Sequence, residues 1–179
     1  MVKAAKAAAY ELSLISTDEK NKVLRQMAKA LLVQKDFLKR ENQKDLRAAE
    51  DKGYTKALVD RLRLTDKVID EMADCLLATA RLKDPVGAVL STFKRPNGLV
   101  IKKVRTPIGV IGIIYESRPN VTSDCIGLCL KSGNAVILKG GREAVHSNKA
   151  IFKILQKSLK GTSIPQDAIH LISSTDREA

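Results

Sequence analysis

The chain reads as an α/β protein: a parallel sheet with crossover helices, preceded by a long helical stretch and a two-stranded arm. Three observations predict this. Residues 1–84 are rich in helix formers, with apolar positions three and four apart. A strong turn signal, Arg95-Pro-Asn-Gly98, separates two β-prone runs. Beyond Pro107, strand-like and helix-like segments alternate, the pattern of a parallel sheet.

Residues 2–15 place Ala5, Ala8, Leu12 and Ile15 on one helical stripe. Ser16-Thr-Asp-Glu19 is a capping-box pattern, in which Ser16 bonds the amide of Glu19 and the Glu19 side chain reaches back. The helix that follows carries Val23, Leu24, Met27, Leu31 and Leu32 at helical spacing. A third helix is predicted over 35–52, stopping at Gly53. Thr65 or Asp66 caps another, whose apolar face is Val68, Ile69, Met72, Leu76 and Leu77, and Asp84-Pro85 ends it.

The arm is predicted as strands over 86–93 and 99–104. Charge alternates with apolar residues in Ile101-Lys-Lys-Val104, so one face should stay wet. Next come a strand over 110–115, a helix over 121–131, a strand over 135–139, a helix over 143–160 and a strand over 168–172. Residues 173–179 read as a loop and the first turn of a further helix. A parallel sheet of three strands would keep an open edge, so the chain is expected to be the front part of something longer.

Aromatics make up 3% of the 179 residues and Trp is absent, so Ala, Leu, Val and Ile must fill the interior. No apolar run approaches the roughly 18 residues that span a bilayer. The N-terminus lacks the leucine-rich core of a signal peptide, and a cytoplasmic location with no membrane partner is expected. A net charge of +12 raises nucleic-acid binding. However, the basic residues alternate with acidic ones, as in Lys39-Arg-Glu-Asn-Gln-Lys-Asp-Leu-Arg47, the signature of a solvated helix face. With no helix-turn-helix signature and no aromatic-rich strand, the basic surface suits anionic small molecules rather than nucleic acid. Cys75, Cys125 and Cys129 read as small buried hydrophobes, and no Cys/His spacing supports a metal site.

The chemistry concentrates where two apolar strands end. The first is followed by Glu116, Ser117, Arg118 and Asn120 around Pro119; the second ends at Lys139, Gly140 and Gly141. Strands that deliver polar loops to one sheet edge are how an α/β enzyme builds a site. Asn120 is either a neutral donor for a developing oxyanion or the cap of the helix starting at Val121. Arg118 either clamps a carboxylate or phosphate, or pairs with Glu116. Lys139 is a donor placed for a nucleotide ribose, or else a solvated loop lysine. Gly140 and Gly141 can present amides to a phosphate or ribose. Gly109 and Gly112 lie inside a strand, not in a dinucleotide fingerprint, and are expected to admit a neighbouring backbone. His146 and His170 are isolated and receive no role.

Pro107-Ile-Gly-Val-Ile-Gly-Ile-Ile-Tyr-Glu-Ser-Arg-Pro-Asn-Val-Thr122 and Leu128-Cys-Leu-Lys-Ser-Gly-Asn-Ala-Val-Ile-Leu-Lys-Gly-Gly141 resemble the gamma-glutamyl phosphate reductases. These are also called glutamate-5-semialdehyde dehydrogenases and belong to the aldehyde dehydrogenase superfamily. Glu19-Lys-Asn21, Asp60-Arg-Leu62 and Leu82-Lys-Asp-Pro-Val-Gly87 are similar too. The resemblance implies an aldehyde-dehydrogenase-like N-terminal cofactor-binding domain, Rossmann-like and incomplete. Its parts would be a helical segment over 1–84, an arm over 85–106 and a parallel β/α portion over 107–179, with the catalytic domain absent.

The implied reaction is NADPH-dependent reduction of L-glutamyl 5-phosphate to L-glutamate 5-semialdehyde and phosphate, in proline biosynthesis, by a homo-oligomer. A cysteine thiolate displaces phosphate and the resulting thioester takes a hydride. By motif, Asn120 corresponds to the oxyanion-stabilising asparagine and Lys139 to the ribose-contacting lysine. Glu143 is a looser cofactor match, because its spacing from Lys139 differs from the commoner pattern. Glu116 and Arg118 would lie near the substrate. The nucleophilic cysteine belongs to a domain beyond anything matched, so the chain is expected to be inactive alone. The alternative is a non-catalytic nucleotide-binding or oligomerisation remnant that keeps the arm over 86–106.

Overall fold

Five helices precede the first strand in the computed structural model, which describes residues 1–174. They are α1 (Val2–Ser13), α2 (Thr17–Val33), α3 (Lys35–Asp51), α4 (Lys56–Leu62) and α5 (Asp66–Arg81). Ser16 caps α2 by accepting from the Glu19 amide at 3.3 Å. The other half of the capping box is not made: the Glu19 carboxylate accepts instead from the Ser163 hydroxyl at 3.0 Å. Thr65 caps α5 through the Val68 amide. Helix α4 has no side-chain cap and spans seven residues, too few to show a period.

Strands β1 (Val89–Lys94) and β2 (Val100–Val104) form the antiparallel arm, with Phe93 opposite Ile101. The expectation of a single wet face is not met. Val89, Leu90, Phe93, Val100, Ile101 and Val104 are all exposed, so among the described residues neither side of the ribbon is buried.

Strands β3 (Val110–Tyr115), β4 (Ala135–Gly140) and β5 (Ile169–Leu171) form a parallel sheet in the order β3-β4-β5. Helix α6 (Asn120–Lys131) connects the first pair and α7 (Val145–Lys157) the second. The predicted helix over 143–160 is shorter, beginning as a 3-10 turn, Arg142–Ala144, before α7. The segment expected over 173–179 falls, from residue 175 on, outside the described residues.

The sheet is covered unequally. Helices α2, α5, α6 and α7 bury Val136, Leu138 and Ile169 in the main core, with Ile111, Ile113 and Tyr115 packed against it. On the other face Ala5 and Ala9 of α1 cover only Ala135 and its neighbours Val110 and Ile137. Alternation along a strand puts Gly112 and Ile114 on that second face, and Ile114 is 85% exposed. The expected close approach of a backbone at Gly109 and Gly112 is not found, because a Cβ at either would meet nothing within 4 Å. Gly109 instead adopts φ +119, a conformation that L side chains rarely take. It donates to Asn134 Oδ1 at 2.8 Å as β3 begins.

Lys20 is buried at the foot of the arm, 1% exposed, and pairs with Asp84 at 2.5 Å. Asp84 also accepts from the Thr17 hydroxyl at 2.8 Å and the Val86 amide at 2.9 Å. Beside this pair Lys131 donates to Asn21 Oδ1 at 2.5 Å and the Ala80 carbonyl at 3.0 Å. Two buried ammonium groups thereby fasten α2, α5, α6 and the arm together.

Candidate functional site

Parallel register fixes the geometry at the carboxyl edge of the sheet. Ile114 lies opposite Lys139 and Tyr115 opposite Gly140, so the loops leaving β3 and β4 start side by side. They are tied together by the Ser117 hydroxyl, which donates to Glu143 Oε2 at 2.5 Å. Burial works to raise the Glu143 carboxyl, but the bonds from Ser117, its own backbone and Arg142 outweigh it and hold the carboxyl below its ordinary value.

The glycine pair is what lets these loops meet. A Cβ on Gly141 would sit 2.5 Å from Ser117 Oγ and 2.9 Å from Glu143 Oε2. A Cβ on Gly140 would collide with Asn148 Nδ2 and the Tyr115 ring. The space beside both glycines is thus filled by the chain's own side chains rather than left as an open phosphate cradle.

A second polar chain lies beneath. The Thr122 hydroxyl donates to Asn148 Oδ1 at 3.1 Å, leaving the Tyr115 hydroxyl as donor to Thr122 at 2.7 Å. Burial pushes the Tyr115 phenol up to about 12, outweighing the Thr122 bond, so it stays protonated. These contacts lock the end of β3 to α6 and α7.

Asn120 opens α6 as its first residue, with Pro119 in the cap position and no side-chain cap bond. Its amide is therefore not spent on capping; it makes a long 3.4 Å contact to Asp124 Oδ2. Burial raises the Asp124 carboxyl despite hydrogen bonds from Cys75, Asn120 and Ser123. Arg118 and Glu116 are exposed, and no salt bridge among the described residues joins them.

Asn120 and Arg118 line one hollow of about 370 Å³ between the start of α6 and the α4–α5 connection. Lys139 and the glycine pair lie at the same sheet edge but outside that hollow, and Gly140 and Gly141 border a much smaller depression near the end of β5. The structure therefore brings Asn120 with Arg118, and Gly141 with Glu143, and sets the two groups on adjacent strand ends.

The hollow also contains residues that the sequence did not single out for chemistry, Arg61 and Arg63. Their placement depends on buried Asn42 of α3. The Asn42 amide donates to the Leu62 carbonyl at 2.7 Å, and its oxygen accepts from the Leu64 amide at 2.9 Å, gripping the backbone on both sides of Arg63. The same Asn42 amide donates to Ser147 Oγ at 3.0 Å. Asp45, one turn further along α3, accepts from the Ser147 hydroxyl and from the amides of His146 and Ser147. A carboxylate from a distant helix thus caps α7. The motif Asp60-Arg-Leu62 was the only available signal for Arg61.

None of the three cysteines is poised as a nucleophile. Burial pushes the thiols of Cys75, Cys125 and Cys129 up, Cys129 to about 12, and for Cys75 and Cys125 the Asp124 charge adds to this. Among the described residues no helix is long and apolar enough to cross a membrane.

Residues 1–179 match the aldehyde dehydrogenase family. The chain is 53% identical to the gamma-glutamyl phosphate reductase of Clostridium botulinum over 174 residues, which is 97% of this chain and 42% of that protein. The solved gamma-glutamyl phosphate reductase of Thermotoga maritima superposes with a TM-score of 0.96 at 44% identity, over 98% of this chain and 42% of that one. That of Saccharomyces cerevisiae gives 0.91 at 33% identity, over 97% of this chain and 45% of that one. The chain thus spans about 42% of the length of curated relatives it matches.

Proposed function

The chain belongs to the aldehyde dehydrogenase family, whose members are oxidoreductases, and we propose that it supplies the cofactor-binding part of a gamma-glutamyl phosphate reductase. The reaction is the reduction of L-glutamyl 5-phosphate to L-glutamate 5-semialdehyde and phosphate, in cytoplasmic proline biosynthesis. The single observation that carries this is the joining of the β3 and β4 loops. The Ile114–Lys139 register and the Ser117–Glu143 bond bring an amide donor and a lysine to one sheet edge.

Asn120 donates its side-chain amide to the acyl oxygen as that atom gains negative charge. A neutral donor fixed before the reaction stabilises the oxyanion without reorganising. Arg118 and Glu116 flank the substrate. An attacking thiolate forms the C–S bond as the bond to phosphate breaks and phosphate leaves with the electron pair. The raised thiols of Cys75, Cys125 and Cys129 are unsuited to that step, and none of the three is assigned it.

The fit to a dinucleotide rests on the open sheet face. Gly112 and exposed Ile114 provide a flat apolar shelf beside Lys139 that a ribose and base can lie against. NADPH, when bound, supplies the hydride. Lys139 would hold its ribose hydroxyls, and the close-packed turn at Gly140 and Gly141 would bring the ionised Glu143 to the rim. Ser117 steadies Glu143 rather than touching the cofactor.

Titration of the purified chain with NADPH, followed by nicotinamide fluorescence, tests this reading. Saturable binding is expected, weakened about tenfold by Lys139→Ala, the size expected for losing a hydrogen bond from a charged donor. No binding at millimolar NADPH overturns it.

The exposed arm favours one further statement: it pairs this chain with a second copy. Phe93, Val100 and Ile101 lie on a two-stranded ribbon that the chain leaves uncovered on both faces. An isolated ribbon of this size gains stability by being covered.

A further inference from the structure

The hollow around Asn120 contains more positive charge than oxyanion stabilisation needs. Arg61, Arg63 and Arg118 all line it, and no carboxylate among the described residues forms a salt bridge with any of them. Three acidic side chains share the hollow, but two of them have partners. Asp124 contacts Asn120 and Cys75, and Glu71 faces Lys67 across the helix surface at 3.9 Å. Only Asp60 adds a carboxylate without such a partner. Guanidinium groups present a rigid fork of donors that matches a planar carboxylate, so unpaired arginines in a concave site are built for an anion.

Their scaffold is also fixed in advance. Arg61 lies in the last turn of α4, and Arg63 sits in the extended connection whose flanking carbonyl and amide are both held by buried Asn42. An anion arriving there does not have to order the loop, and a preorganised site binds more tightly for the same contacts.

We propose that Arg61 and Arg63 form a clamp for the carboxylate of the substrate remote from the reacting carbonyl, so that this hollow selects acyl compounds with a second anionic end. The inference rests on the reading of Asn120 as the acyl-oxygen donor and adds the residues that set specificity. Arg118, nearest Asn120 in sequence, faces the phosphate end.

Two stable probes separate the ends of such a substrate: 2-amino-5-phosphonopentanoate, with a carboxylate and a phosphonate, and 4-aminobutylphosphonate, the same molecule without the carboxylate. Calorimetric titration of the whole chain should show the first binding about tenfold more tightly than the second, the gain expected for a charge-assisted bond. In Arg63→Gln and Arg61→Gln that difference should shrink toward none while 4-aminobutylphosphonate affinity stays as it was. Arg63→Lys should keep part of it, because charge survives without the fork. Both positions are exposed, and an unchanged melting temperature with unchanged NADPH affinity shows that each variant is folded.

If both probes bind and the glutamine variants alter neither affinity, or both equally, the clamp is wrong and the role of Asn120 is untouched. A chain that binds neither probe at millimolar concentration overturns the clamp, and Asn120→Ala then separates the two readings. If that variant leaves NADPH binding and its own fold intact, the cofactor reading survives alone.

Discussion

At the scale of single residues, two kinds of polar side chain carry different duties. Lys20, Asn21 and Asp84 belong to the segments that make the family resemblance legible, yet they lie in the structural junction under the arm and not at the site. Burial works to raise the Asp84 carboxyl, but the Lys20 ammonium, the Val86 amide and Thr17 outweigh it and the carboxyl is held below its ordinary value. A lowered folded value means the stabilisation is present above the ordinary carboxylate pKa of about 4 and is lost as pH falls through the folded one. Asp84→Asn leaves the Lys20 ammonium buried without its counter-ion and should cost about 3 kcal/mol in urea unfolding at neutral pH. The variant should also lose less stability than the parent on acidification; identical acid profiles contradict this account. Asn120, Arg118 and Lys139 were visible as candidates because polar residues following apolar strands have no packing reason to be there. Arg61 and Arg63 were not, since on a surface helix end an arginine looks like any solvated charge until the fold closes a hollow around it.

Among elements, periodicity decided what could be read. Helices α2 and α5 carry apolar residues at helical spacing behind a capping Ser16 or Thr65, and both appear where the pattern puts them. Helix α4 did not announce itself, because its seven residues make too few turns for a period and Thr55 makes no cap bond. The start of α7 was unreadable for another reason: its cap, Asp45, lies about a hundred residues away in α3 and acts only after folding. The arm was legible as a hairpin from Pro-Asn-Gly, but its exposure was not, since alternation shows which residues share a face and not whether anything covers it. If the ribbon pairs two copies, Phe93→Asp with Ile101→Lys should leave the melting temperature nearly unchanged and abolish self-association in sedimentation equilibrium. Surface substitutions of this kind alter stability by about 0.5 kcal/mol or less. A parent chain that stays monomeric at high micromolar concentration contradicts the pairing.

For the whole molecule, the fold is a half-covered sheet. One face is sealed by four helices, while α1 shields only the N-terminal part of the other, leaving Ile114 about as exposed as a free side chain, at 85%. The uncovered half lies beside Lys139 and borders the edge where the β3 and β4 loops are joined. The central claim is that those two loops serve one nucleotide and one acyl group. Isotope-labelled chain titrated with NADPH and then with 2-amino-5-phosphonopentanoate measures it directly through backbone amide shifts. The amides of 139–143 should move with NADPH and those of 117–120 with the second ligand. Each ligand should also tighten the other's apparent dissociation constant, because the Ser117–Glu143 bond links the two loops. Shifts confined to regions away from both loops, or two ligands that bind without any mutual effect, contradict the claim.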